Sequence, residues 1–120
     1  MLSNVEKGRL GEMIASEILE YKGVDIVGKN YRTKFGEIDL IGIEKKTIIF
    51  IEVRLRTGNS FGIAEESISV MKEKRLRLTI DHYLINNNID NNYRFDVITI
   101  NTQPDLKIFN VTWFKNQEFN

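Results

Sequence analysis

An α/β domain, with a mixed central sheet that is antiparallel over its first three strands and has helices packed against it, is the fold class this sequence predicts. Three observations carry that expectation. The stretch from Phe35 to Arg56, FGEIDLIGIEKKTIIFIEVRLR, is rich in isoleucine, valine and phenylalanine on both sides of Lys45-Lys46, as two strands of a covered sheet would be. Segments with helical spacing of apolar residues lie before and after it. The chain has 120 residues, 42% hydrophobic and 28% charged, which suits one core, so residues 1–120 are expected to form a single domain.

In chain order, the first element is a helix from about Ser3 to Lys22. Leu10, Ile14 and Ile18 recur at four-residue steps, Ala15 and Leu19 widen the buried arc, and Lys7, Arg9, Glu17 and Glu20 mostly face water. Gly8 and Gly11 each weaken a helix by up to about 1 kcal/mol relative to alanine. Their presence implies that this surface approaches another backbone closely. Glu12 lies at the border of the arc, either as a surface glutamate or brought toward the sheet by those glycines. Val24 to Arg32 alternates as a first strand, and Thr33 to Gly36 turns into the hairpin. After Arg54, Leu55 to Gly62 reads as a polar loop bordering a groove.

Ser69 is the expected N-cap of a second helix reaching about Asn86. Leu76, Ile80, Tyr83 and Leu84 form its apolar face, while Lys72, Arg75, Thr79 and His82 fall along a polar one. The asparagine-rich run Asn86 to Asn92 follows as a turn. Tyr93 to Ile100 is a further strand and Leu106 to Phe114 a last one, separated by a turn from Asn101 to Asp105 that contains Pro104. Asp96 is expected to be structural, paired with Arg94 or a helix cation, and His82 to be solvated rather than catalytic. Trp113 and Phe114 read as packing residues. The exposed face of the last strand is where a homodimer could form.

The hairpin register has a chemical consequence. With Lys45 and Lys46 in the loop, Glu44 pairs with Thr47, Asp39 falls opposite Glu52, and Glu37 falls opposite Arg54. Period-two alternation then puts Ile38, Leu40, Ile49, Ile51 and Val53 on one face, and Glu37, Asp39, Glu52 and Arg54 at one end of the other. Facing carboxylates repel unless something positive sits between them. Mg²⁺, or Mn²⁺ in its place, is the natural ion, since a hard cation prefers carboxylate oxygens and keeps waters that a phosphate can replace.

Gly36 to Ile41, GEIDLI, followed by Ile49 to Arg54, IFIEVR, resembles the metal-binding core of the PD-(D/E)XK nuclease superfamily. The chain is more closely similar to the small bacterial YraN-like family of uncharacterised, endonuclease-related proteins. That likeness runs from Gly8-Arg9-Leu10-Gly11-Glu12 through Asn30-Tyr31-Arg32 to Arg94-Phe95-Asp96-Val97. It implies a restriction endonuclease-like three-layer core. It also implies metal binding by Asp39 and Glu52, with Glu37 and Glu12 as accessory acids, and phosphodiester hydrolysis on DNA.

Two positions depart from the motif. Ile38 stands where proline usually precedes the aspartate, and Arg54 stands at the position of the nuclease lysine. Arginine stays protonated and cannot serve as a general base, but it can hold a phosphate or offset developing charge. Lys72 of the second helix is the expected substitute for the absent strand lysine. Arg32, Lys34, Arg56, Lys72 and Arg75 are the candidate nucleic-acid contacts.

Composition bounds these expectations. Seventeen basic and seventeen acidic residues cancel, which counts against tight non-specific DNA binding. The absence of cysteine excludes disulfides, thiolate nucleophiles and cysteine-based zinc sites, and is compatible with the cytoplasm. The first residues lack the pattern of a secretory signal, and no apolar run approaches the roughly 20 residues of a membrane span, so no membrane partner is expected. Two rival classes remain open: a nuclease-like module that binds nucleic acid without cutting, and a protein-interaction factor whose acids pair internally with Arg54 and Arg56.

Overall fold

The structure, a computed structural model, describes residues 2–57, 70–89, 92–105 and 107–118. The expected N-cap Ser69 and most of the expected loop to Gly62 lie outside the described residues. Helix α1 (Asn4–Tyr21) starts where a capping box dictates: Ser3 Oγ accepts from the Glu6 amide at 3.2 Å and Glu6 Oε1 accepts from the Ser3 amide at 2.9 Å. It ends before Gly23, whose φ of 96° reverses the chain so that the Val24 amide returns to the Leu19 carbonyl.

Five strands follow: β1 (Asp25–Arg32), β2 (Glu37–Glu44), β3 (Thr47–Thr57), and then, after helix α2 (Val70–Asn86), β4 (Tyr93–Thr102) and β5 (Ile108–Phe114). They form one sheet in the order β1-β2-β3-β4-β5. The first three pair antiparallel, β3 and β4 pair parallel, and β5 returns antiparallel. A parallel neighbour demands a long crossover, and α2 lies within it.

Alternation along β3 divides the core in two. Ile49 and Ile51 pack with Ala15 and Leu19 of α1, together with Ile98 and Ile100. Ile48 and Phe50 pack with Leu76 and Ile80 of α2 on the opposite face. The result is the expected three-layer α/β arrangement, helix on sheet on helix. Gly11 explains how closely α1 lies on β3, since a Cβ there would stand 3.3 Å from Leu55 Cβ and 3.4 Å from Val53 Cγ1. Gly8 has open space instead, so the close approach expected of both glycines belongs to Gly11 alone.

The hairpin turns at Lys45 and Lys46 with Glu44 opposite Thr47, as the sequence implies, but its ladder ends at Leu40↔Ile51. The expected Asp39–Glu52 and Glu37–Arg54 pairs do not form. Beyond Leu40, β2 turns over: Ile38 packs with Phe50 and Leu76, whereas Leu40 packs with α1. Ile38 and Leu40 therefore face opposite sides, contrary to strict alternation. The physical reason is local. Asn30, opposite Asp39 between the pairs Lys29↔Leu40 and Tyr31↔Ile38, takes φ 52°, and the Val53 amide donates to Asp39 Oδ2 at 2.8 Å instead of to a β2 carbonyl.

Other expectations shift for tertiary reasons. Leu55 to Thr57 continue β3 because they pair with Ile100 to Thr102, extending β4 into the expected turn as well. Thr79 is 0% exposed rather than on a solvated face: its hydroxyl donates to the Arg75 carbonyl and meets Thr33 in the β1–β2 turn. His82 is half-buried, with Nδ1 2.6 Å from the Tyr31 hydroxyl. Asp96 is structural, as expected, and more connected than expected. Its carboxylate accepts from Arg94 Nε at 3.0 Å, Trp113 Nε1 at 2.8 Å and the Asn116 amide at 2.8 Å.

Candidate functional site

The acids come from two elements that the glycine contact and the strand irregularity bring together. Glu12 projects from α1 one residue beyond Gly11, so the close approach of that turn to β3 carries it to the sheet. Glu37 begins β2, and Asp39 sits where β2 leaves the β3 ladder. One oxygen from each of Glu12, Glu37 and Asp39 lies within 4.8 Å of the others. Burial is the main cause that pushes the Asp39 carboxyl up to about 6. The Val53 amide opposes it, and the charges of Glu12, Glu52 and Glu37 add to it.

Glu52 borders the same site but is turned to cations. Arg54 Nη2 lies 2.9 Å from its Oε2, and Lys72 of α2 pairs with its Oε1. The residues expected to hold metal are therefore distributed: Glu12, Glu37 and Asp39 converge, while Glu52, whose charge still reaches Asp39, anchors two positive groups. Among the described residues no cation pairs with Glu12 or Asp39, and Glu37 pairs with the Arg32 guanidinium at 3.0 Å. Carboxylate oxygens with so little internal compensation form a donor set that suits a hard divalent cation.

A cavity of about 230 Å³ opens between these strands and α2. Glu37, Asp39 and Glu52 border it on the sheet side, Lys72 and Arg75 on the helix side, and Ile38, Ile51, Leu76 and Phe95 beneath. The other candidate cations lie outside this lining. Arg32 is 75% exposed at its side chain, Lys34 lies over the Phe35 ring at 5.2 Å, and Arg56 is half-buried near the end of β3. Gly36 seats the β1–β2 turn on α2, because a Cβ there would stand 3.3 Å from Thr79 Oγ1. Thr33, Gly36 and Thr79 thus fix the backbone that leads into Glu37. The sequence does carry a signal for Thr79, which falls four residues after Arg75 on the Lys72 stripe, but nothing in the spacing marks that stripe as covered.

The profile of an uncharacterised protein family, UPF0102, matches residues 11–100, a span that holds all of these acids. The chain belongs to the UPF0102 family. It is 44% identical over 100 residues to a UPF0102 protein of Clostridioides difficile, covering 82% of this chain and 88% of the relative. A UPF0102 protein of Nitrosomonas europaea is 39% identical over 116 residues, covering 97% and 96%. A third, from Alkaliphilus oremlandii, is 41% identical over 100 residues, covering 81% and 86%. The family match agrees with the YraN-like resemblance of the sequence and carries no activity with it. In this UPF0102 protein no helix among the described residues is long and apolar enough to cross a membrane.

Proposed function

We propose that this UPF0102 protein is a divalent-metal-dependent nuclease acting on DNA phosphodiesters. The observation that carries the reading is the convergence of one oxygen each from Glu12, Glu37 and Asp39 within 4.8 Å, beside a cavity whose opposite wall is cationic. Those three acids would hold Mg²⁺ or Mn²⁺. When bound, such an ion polarises a phosphoryl oxygen and makes water a nucleophile near neutral pH.

The chain's own groups supply the rest. Glu52 pairs with Lys72 at the border of the cavity and with Arg54 behind it, and the charge of the two cations would offset that of a pentacoordinate phosphate. Arg54 presents a planar fork of donors and Lys72 a compact ammonium, so the two would hold the phosphate differently. Arg32 and Arg75 would receive flanking phosphates. The test is incubation of the purified protein with single-stranded, duplex and branched DNA across Mg²⁺ and Mn²⁺ titrations. Cleavage that Asp39→Asn abolishes is the expected result, and intact DNA under every condition overturns the proposal.

A second reading is favoured by arginine at position 54, which pairs with Glu52 and cannot serve as a base: a module that binds nucleic acid without cutting it. Under that reading neither protein cleaves, and Asp39→Asn binds DNA as well as the wild type or better, because a negative charge has been removed.

A further inference from the structure

The cavity between β2, β3 and α2 has a floor that a metal ion and a phosphate do not need. Ile38, Leu76 and Phe95, which belong to the core on the α2 face, make it with their side chains. A hydrated cation and a phosphate gain nothing from hydrocarbon and lose water contacts against it. A flat, weakly polar ring gains from the same surface. Arg75 stands on the wall above, exposed, with no acid paired to its guanidinium among the described residues. A planar guanidinium of this kind stacks on rings as readily as it binds phosphate.

Size narrows the occupant. At about 230 Å³ the cavity is smaller than the roughly 300–1,000 Å³ of pockets that enclose drug-sized ligands, and suits one ring system. Among the parts of a nucleic acid, only a base offers such a ring covalently tied to a phosphate. A base stacked and paired in a duplex has no free face to present, so the base must be unpaired.

We infer that this cavity receives one unpaired base of the substrate strand on its Leu76–Phe95 floor, against Arg75, and so delivers the attached phosphate to Asp39 and its neighbours. The choice of a base rests on the nucleic-acid reading proposed above, and the delivery step on its nuclease form. The substrate class is then a strand with a base free to leave the stack, single-stranded, mismatched or opposite a gap, rather than continuous duplex.

The experiment uses an oligonucleotide carrying one 2-aminopurine, offered in Ca²⁺ as a single strand, opposite an abasic site, and fully paired. Binding about tenfold tighter for the two unpaired forms, with a change in 2-aminopurine emission, is the expected result. Equal affinity for all three without an emission change overturns the inference. Leu76→Trp fills the cavity and should erase both the preference and the emission change while leaving Mn²⁺ affinity, measured by calorimetry, unaltered. Should that variant fail to fold, Arg75→Ala at an exposed position replaces it, with a general weakening of DNA binding and, on top of it, a severalfold further loss for the unpaired forms. An unaltered preference in the substituted protein overturns the inference too. Mn²⁺ uptake by the wild type without base preference removes the base cavity and leaves the metal reading standing. Base preference without Mn²⁺ uptake does the reverse.

Discussion

Asp39 holds its position through one hydrogen bond from the Val53 amide, and its charge is opposed by burial and by three neighbouring acids. Its carboxyl titrates at about 6 in the folded chain against 3.8 in the unfolded one, so the folded state binds the proton more tightly. The sign follows: this group's contribution favours folding below about pH 4 and is lost as the pH rises through about 6. By pH 7 the ionised carboxylate destabilises the metal-free protein by on the order of 3 kcal/mol. Asp39→Asn should therefore be more stable than wild type at pH 7 in chelator and should lack the loss of stability between pH 4 and 6. Denaturant melts at a series of pH values check both. Arg32, 75% exposed and paired with Glu37, is the opposite case. Arg32→Ala should change stability by less than about 0.5 kcal/mol, yet bind Mn²⁺ as tightly as wild type or slightly more so by calorimetry, because Glu37 loses a competitor.

At the scale of elements, the two glycines of α1 separate propensity from packing. Gly8 faces open space, so Gly8→Ala should stabilise the protein by up to about 1 kcal/mol through helix propensity alone. Gly11 lies on Leu55 and Val53, so Gly11→Val should destabilise it by about 1–3 kcal/mol. It should also weaken Mn²⁺ binding, since pushing the helix off β3 carries Glu12 away from Asp39. Thermal melts and calorimetry on the two variants distinguish these outcomes. The sequence shows that both glycines are unusual in a helix, and only the position of β3 shows which one is in contact. The limits of α1, by contrast, are legible from its capping box and apolar spacing because those signals are local, whereas the expected cap of α2, Ser69, lies outside the described residues.

Across the whole molecule, Asp96 links elements distant in sequence. It joins β4 to Trp113 of β5 and to Asn116 beyond it, and it shares Arg94 with Glu44 at the end of the β2–β3 hairpin. Asp96→Ala would strand the largely buried Arg94 with only Glu44, and a loss of about 3–5 kcal/mol in a denaturant melt is expected. Element order, hairpin turn, mixed sheet and the family itself were readable from the chain, since periods of 2 and 3.6 and the spacing of acids are written in adjacent residues. The tertiary structure alone decided that β2 turns over at Asp39, that Glu52 pairs with Lys72 and Arg54 while Glu12 joins Glu37 and Asp39, and that Thr79 is covered. Those outcomes depend on where a ladder stops and on which charge arrives from a packed neighbour, and local spacing encodes neither.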